Sequence, residues 1–120
     1  LNDLISFEVI LRPTSFREAI SGEKFDLEHF KNTSAAACTA IAKPESFFNS
    51  LENLGIELDQ KKSFRDHYYF KSSDLQDLKK PIFVTEKDVV KIKDLTEVYV
   101  LEASIQVPEA FYAFLEDSLP

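Results

Sequence analysis

The chain of 120 residues carries 14 basic and 21 acidic residues, giving a formal net charge of −7, and 44% of its residues are hydrophobic. This length and composition are those of a single soluble globular domain with one modest core. The negative charge disfavours nucleic-acid backbones and anionic membrane surfaces as partners, and no apolar run approaches the ~20 residues that a membrane-spanning helix needs.

The first 33 residues predict a β-hairpin region that links to the rest of the chain. The segment SFEVILRP has the composition of a strand, which is expected to end at Pro13. Gly22, within AISGEKFDL, is expected in a turn between two short extended pieces. Residues 1–33 are therefore the first of two predicted parts.

Residues 34–120 alternate between strand and helix patterns, which predicts an α/β domain with a small, mostly parallel, Rossmann-like sheet and helices on both faces. A run of small apolar residues, 35–42, predicts a strand buried on both faces. Pro44 suits the first position of a helix, and Gly55 stands where its left-handed cap is wanted. Between them lies an apolar stripe at helical spacing: Phe47, Phe48, Leu51 and Leu54.

The second half of the chain continues this alternation. Residues 56–64 predict a strand near a sheet edge. A helix is expected from Ser73, whose spacing to Gln76 fits a capping box, with Leu75 and Leu78 facing inward.

The last predicted elements begin with a buried strand at Ile82–Val84. Thr85 and Asp88 have the spacing of a helix start for the segment that reaches Ile92. Residues 97–107 predict the final strand, and a terminal helix is expected from Pro108, with an apolar face formed by Phe111, Phe114 and Leu115.

Polar residues follow three of the predicted strands at their carboxyl ends, in the segments IAKP, FRDH and VTEKD. In a parallel sheet these ends share one edge, which is where open α/β sheets bind ligands. The sequence therefore places one set of side chains on a common rim: Lys43, Asp66, His67, Glu86, Lys87 and Asp88.

Structural interpretations of the same residues are also open. His67 beside Asp66 is often a surface or hydrogen-bonded pair, and the TEKD segment is explained by helix capping, with its acids near a helix N-terminus. Lys43 suits a solvated helix start, His29 is expected to be exposed, and Cys38 is expected to be a buried, unreactive thiol.

Motifs that would make the chain an independent enzyme are missing from the sequence. With Gly22 and Gly55 as its two glycines, it has neither a Walker A phosphate loop nor a dinucleotide-binding fingerprint, and it has no Cys/His metal cluster. Methionine is absent even at position 1, which predicts a piece of a longer protein. The lone Cys38 fits a reducing compartment.

Three motifs in register resemble the carboxyl-terminal part of the tetraacyldisaccharide 4′-kinase family: AIAKPESFFNSLENLGI, FRDHYYFKSSDL and PIFVTEKDVVKI. The opening FEVILRPTSFREAISGEKFDL is also similar, so the resemblance covers nearly the whole chain. Members of this family are P-loop kinases that use ATP and Mg²⁺ to phosphorylate the 4′-hydroxyl of a tetraacylated glucosamine disaccharide 1-phosphate in lipid A biosynthesis. The resemblance implies that an amino-terminal P-loop domain, absent from this chain, carries the phosphate loop, the magnesium-binding carboxylates and a catalytic aspartate.

The resemblance also implies roles for individual residues. The family's phenylalanine-x-Asp-His motif falls on Phe64, Asp66 and His67, which makes Asp66 and His67 the candidate catalytic residues at the cleft between two domains. The Thr-Glu-Lys-Asp motif falls on residues 85–88, and Glu86 and Lys87 become candidates for cofactor binding.

Three further positions bear on the loops of this site. Ala40 and Ala42 replace the glycines of the family's Gly-Ile-Gly-x-Pro loop, which argues against a close approach of this backbone to a ligand. Many members carry a second histidine where Tyr68 stands. Tyr68, Tyr69 and Phe70 are expected to anchor the loop that displays His67.

The resemblance implies that the chain is one side of a kinase cleft and is inactive alone. Its expected partners are the amino-terminal domain and the lipid A disaccharide precursor, with neither nucleic acid nor direct membrane insertion, at the cytoplasmic side of the bacterial inner membrane. Two other interpretations stay open. One is a non-catalytic α/β module that binds a nucleotide or phosphosugar; the other is a structural domain in which His67 points inward and is fully hydrogen-bonded.

Overall fold

Six strands and three helices follow one another in the part of the chain that the computed structural model describes, which is the backbone of residues 10–106 and the side chains of residues 12–104. Residues Pro13–Glu102 form one compact unit. The elements are β1 (Ile10–Glu18), β2 (Lys24–Phe25), β3 (Ser34–Thr39), α1 (Pro44–Asn53), β4 (Glu57–Ser63), α2 (Ser73–Gln76), β5 (Ile82–Thr85), α3 (Glu86–Val89) and β6 (Val98–Gln106). The terminal helix predicted from Pro108 lies outside the described residues.

The strands form a six-stranded sheet in the order β2-β1-β6-β5-β3-β4. Strands β3, β4, β5 and β6 are parallel to one another, whereas β1 and β2 pair as an antiparallel hairpin. Gly22, with φ +78°, lies in the turn of this hairpin, as expected from the sequence. The mostly parallel sheet is therefore confirmed, and the hairpin is part of the same sheet.

Apolar side chains cover both faces of the sheet, because neighbouring residues of a buried strand point to opposite sides. Ala35 and Ala37 pack in a core with the buried residues of α1, and Ala36 and Cys38 pack in a second core with Leu75 at α2 and with Ile92. The prediction of helices on both faces is confirmed. The run of small residues leaves room for a core on each side of β3.

The chain reverses direction across the sheet at β3. From β3 it moves outward to the edge strand β4, and from β4 it returns past β3 to β5 and then to β6. Right-handed crossovers then place α1 on one face and α2 on the other, as observed. The topological switch point, where open α/β sheets bind ligands, lies between the carboxyl ends of β3 and β5.

Three predicted element ends are wrong. The helix expected to reach Ile92 ends at Val89 and is followed by a turn. Strand β1 does not end at Pro13 but continues to Glu18, and its described pairs with β2 begin at Phe16, so the missing N–H of Pro13 leaves that pairing intact. The strand predicted for residues 35–42 ends at Thr39, because the amide of Ala40 turns to the carboxylate of Asp88.

The predicted capping box at α2 does not form, although Leu75 and Leu78 are buried as expected. Ser72, not Ser73, precedes the helix, and its side chain makes no capping hydrogen bond. The carboxylate of Asp74 instead accepts the amide of Lys71 at 2.7 Å, which joins the first turn of the helix to the segment before it. In this four-residue helix, a side chain within the first turn therefore holds the segment that precedes the helix.

Candidate functional site

The carboxyl ends of β3, β4 and β5 lie along one edge of the sheet, since these strands are parallel. The segments that follow them contain residues 40–43, 64–67 and 86–88, the last in the single turn of α3, and together they form the rim. The shared edge predicted from the sequence is confirmed. Helix α1 starts from the first of these loops, with Pro44 at its amino end, as predicted.

His67 extends from the loop after β4 into solvent. Its side chain is 88% exposed, and Nε2 lies 3.7 Å from Oδ2 of Asp66, whose side chain is half exposed. The backbone of His67 is left-handed, with φ +66°, a conformation that costs energy for a residue with a Cβ atom. The inward, fully hydrogen-bonded His67 expected of a purely structural domain is therefore not observed.

Aromatic rings hold the base of the loop that carries His67, residues 64–70, called here the histidine loop. Phe64 and Tyr68 are stacked, with ring centroids 4.5 Å apart and an interplanar angle of 6°. The buried ring of Phe70 makes edge contacts with both, at 5.1 and 5.6 Å. Tyr69 was expected to help, but it is 74% exposed, so this part of the prediction is wrong. Phe64, not Tyr69, is the third aromatic ring that holds the loop.

A hydrogen bond joins the same loop to α2. The hydroxyl of Tyr68 donates to Oδ2 of Asp74 at 2.7 Å, and this bond raises the pKa of Tyr68. Burial alone would raise the pKa of Asp74, but the hydrogen bonds from the Lys71 amide and the Tyr68 hydroxyl outweigh it, so the pKa of Asp74 is lowered. The loop is thus held on one side by stacking and on the other by a carboxylate that stays ionised.

Asp88 is fully buried, although the sequence placed it on the rim among exposed polar residues. Its Oδ2 accepts the hydroxyls of Thr39 and Thr85, each at 2.6 Å, and its Oδ1 accepts the amide of Ala40 at 3.1 Å. The predicted cap is also present, because the amide of Asp88 donates to Thr85 Oγ1 at 3.2 Å. One carboxylate therefore connects the ends of β3 and β5 at the switch point.

The other rim residues are exposed charges. Lys43 precedes α1, and Glu86 and Lys87 lie in the single turn of α3, on the two sides of the switch point between β3 and β5. A lysine at such a position can meet a phosphate as a point charge. Thr39 is the residue that sequence reasoning missed; a hydroxyl residue inside an otherwise apolar buried strand is the signal that could have found it.

Cys38 is buried and His29 is exposed, as expected from the sequence. Cys38 is buried, and desolvation, with the nearby charge of Asp88, raises the pKa of its thiol to about 12. His29 is exposed, with its ring 4.5 Å from that of Phe25. Within the described residues, no group of three or more His, Cys, Asp or Glu side chains could hold a metal ion, and no helix is long and apolar enough to cross a membrane.

Comparison with known proteins places this geometry in context. A family model described as tetraacyldisaccharide-1-P 4'-kinase matches residues 2–120. The chain is 42% identical to the tetraacyldisaccharide 4'-kinase of Haemophilus influenzae over 73 residues, which are 59% of this chain and 21% of that protein. It is 33% identical to that of Ruthia magnifica over 116 residues, covering 94% of this chain and 36% of the relative.

A solved structure shares the fold. It is a crystal structure of the "apo" form of LpxK from Aquifex aeolicus in complex with ATP, and it matches with a TM-score of 0.59 and 21% sequence identity, over 89% of this chain and 33% of that one. The chain spans between about a fifth and a third of the length of these proteins.

Proposed function

Since the chain belongs to the tetraacyldisaccharide-1-P 4'-kinase family, we propose that it is the carboxyl-terminal part of a kinase of lipid A biosynthesis. The parent enzyme transfers the γ-phosphate of ATP to the 4′-hydroxyl of a tetraacyldisaccharide 1-phosphate. One observation carries the proposal: in a chain that matches the family model over residues 2–120, the motif histidine, His67, is displayed to solvent from an anchored loop.

In this proposal the two parts of the parent divide the work. The amino-terminal P-loop domain binds ATP and Mg²⁺, which neutralises phosphate charge when bound, and supplies a catalytic aspartate. The described residues of this chain offer no ligand set for the metal, and none of its proposed roles depends on holding one. This chain closes the cleft and brings His67 to the reacting hydroxyl, with Asp66 beside it to orient the imidazole.

The imidazole of His67 suits this task because a histidine can accept or donate a proton near neutral pH. Its exposure leaves the ring free to approach a group on another domain, and the anchored Phe64 and Tyr68 limit the directions in which it can point. A histidine held in a loop whose base is packed loses less freedom when the cleft closes.

Lys87 and Glu86 are proposed to face the nucleotide. Their place beside the switch point is where a parallel sheet presents its loops to a ligand. The ammonium group of Lys87 would meet a phosphate oxygen, with Glu86 next to it. Replacing Lys87 by alanine in the parent is then expected to raise KM for ATP more than it lowers kcat.

The location of the parent is part of the same proposal. Its lipid substrate belongs to the bacterial inner membrane, and the enzyme would act from the cytoplasmic side. Membrane attachment is assigned to another segment of the parent, since the net charge of −7 disfavours anionic lipid and nucleic acid as partners of this chain's surface.

An assay of the parent beside the 120-residue chain tests the proposal. The parent should phosphorylate tetraacyldisaccharide 1-phosphate when ATP is added, and the chain alone should fold without doing so. Turnover by the chain alone would contradict the proposal. Titration of the chain with ATP and with the disaccharide completes the experiment, since tight binding by the chain alone would favour a ligand-binding module instead.

A further inference from the structure

Asp88 stands out among the buried groups because its three hydrogen-bond donors are all neutral: the hydroxyls of Thr39 and Thr85 and the amide of Ala40. Its side chain is fully buried at the edge of the sheet that carries the rim. Burying a carboxylate is costly, and a well-packed apolar residue often stabilises a core as well or better. A fully satisfied polar network instead fixes a single geometry.

The network reaches all three rim segments. Thr85 and Asp88 lie at the start of α3, and the amide of Ala40 begins the loop after β3. The carbonyl of Thr39 accepts the amide of Phe64 at 2.9 Å, and Phe64 is the first residue of the histidine loop. One path of hydrogen bonds and backbone therefore leads from Asp88 through Thr39 to Phe64.

We propose that Asp88 is a positioning residue that holds the histidine loop in place for the phosphoryl transfer, by fixing Thr39 against Phe64. The inference rests on the proposed function for its catalytic consequence, but its structural step does not. Charge-assisted hydrogen bonds from the two threonine hydroxyls are short and directional, so they fix the end of β3 more firmly than neutral bonds would. Because Phe64 is stacked on Tyr68, fixing Phe64 also restrains the segment between them, which contains His67.

Amide hydrogen exchange in the 120-residue chain tests the structural step. The probe is the amide of Phe64, and the reference is the amide of Ile82, which donates to the carbonyl of Glu97 at 3.0 Å and lies at the opposite edge of the sheet. In Asp88→Asn and in Thr39→Val, the protection of the Phe64 amide should fall roughly tenfold more than that of the Ile82 amide, because the opening is local.

Two variants serve as controls. Thr39→Ser keeps the hydroxyl and should restore most of the protection of Phe64. Leu51→Ala removes buried volume in the core that α1 covers and should lower the protection of both amides by the same factor. Equal losses at both amides in Asp88→Asn and Thr39→Val would show that Asp88 is only a stabilising residue and would overturn the inference.

Kinetics in the parent enzyme test the catalytic step. Asp88→Asn and Thr39→Val should each lower kcat by about tenfold. KM for ATP should change little in Thr39→Val, and Thr39→Ser should rescue kcat. If Asp88 acts through His67, the double variant of Asp88→Asn with His67→Ala should lose no more than His67→Ala alone. Additive losses would overturn the inference.

A normal kcat in His67→Ala is a separate outcome. It would remove the proposed role of His67, and with it the catalytic consequence argued for Asp88. The exchange experiment would still decide whether Asp88 holds the loop, so the two failures can be told apart.

Discussion

The hydroxyl of Tyr68 donates a 2.7 Å hydrogen bond to the carboxylate of Asp74, which joins the histidine loop to the first turn of α2. The same Oδ2 atom accepts the amide of Lys71 at 2.7 Å. One carboxylate thus serves both the loop and the beginning of the helix. Tyr68 therefore links the histidine loop to α2.

Replacing Tyr68 by phenylalanine should therefore loosen the loop without removing the stacked ring. The free energy of unfolding, measured by urea denaturation, should fall by more than in an exposed control, because one hydrogen bond is lost. Tyr69→Phe is the matched control: Tyr69 is 74% exposed, so its stability should stay within about 0.5 kcal/mol of the original. Equal effects in the two variants would mean that the Tyr68–Asp74 bond contributes nothing.

Stability should fall on acidification because several folded carboxylates have lowered pKa values. In Asp74 the hydrogen bonds outweigh the effect of burial, and in Asp94 the hydroxyl and amide of Thr96 lower the pKa. A lowered folded pKa stabilises the fold fully above the unfolded pKa of about 3.9, and this contribution is lost as the pH falls through the folded value. The free energy of unfolding, followed from pH 7 downward, should therefore decline below about pH 4.

The contribution of Tyr68 to the pH dependence of stability has the opposite sign. Its raised pKa means that its contribution is present below the unfolded pKa of about 10 and is lost as the pH rises through the folded value. Asp74→Asn should weaken the pH dependence of stability at both low and high pH. The variant removes the carboxylate with the lowered pKa, which is also the charged acceptor of the Tyr68 hydroxyl. If the pH dependence of the free energy of unfolding is unchanged in Asp74→Asn, the Tyr68–Asp74 bond is not its source.

Cys38 should resist thiol reagents in the folded chain. The thiol is buried, and desolvation raises its pKa to about 12, so little thiolate exists at neutral pH. A colorimetric disulfide reagent should react with it slowly in buffer and rapidly in urea. Rapid reaction in buffer, at a rate that does not depend on stability, would show that β3 is more open than its packing indicates.

The sequence predicted the parts of this fold that local patterns determine. The buried strand could be predicted because a run of small apolar residues such as Ala35–Ala37 is typical of a strand packed on both faces. The left-handed residue after α1 is Gly55, with φ +87°, as predicted. The rim followed from topology alone, since parallel strands present their carboxyl ends together.

What the sequence could not show depends on contacts between distant residues. Asp88 looked like a solvated helix cap, and its burial is decided by Thr39 and Ala40, which lie 49 and 48 residues away along the chain. In the same way, Phe64 rather than Tyr69 packs on Tyr68, because the left-handed backbone of His67 turns the chain between them. The spacing of residues along one loop does not specify that turn.

Substitution of His67 in the parent enzyme separates catalysis from folding. His67→Ala should lower kcat by roughly a hundredfold, near the lower end of the range for general acid–base assistance, with KM for ATP nearly unchanged. The free energy of unfolding should change by less than about 1 kcal/mol, because the side chain is 88% exposed and fills no core volume.

His67→Gly provides a second test, whose expected result differs from that of a purely structural histidine. Glycine accepts φ +66° without the steric cost that alanine retains, so this variant should be at least as stable as His67→Ala while it loses as much kcat. His29→Ala is the matched control, since it replaces the other exposed histidine of the chain, on a segment away from the rim, and should keep its kcat. Loss of stability with normal turnover per folded molecule in both His67 variants would instead make the histidine a structural residue, and the cleft would have to obtain its proton acceptor from elsewhere.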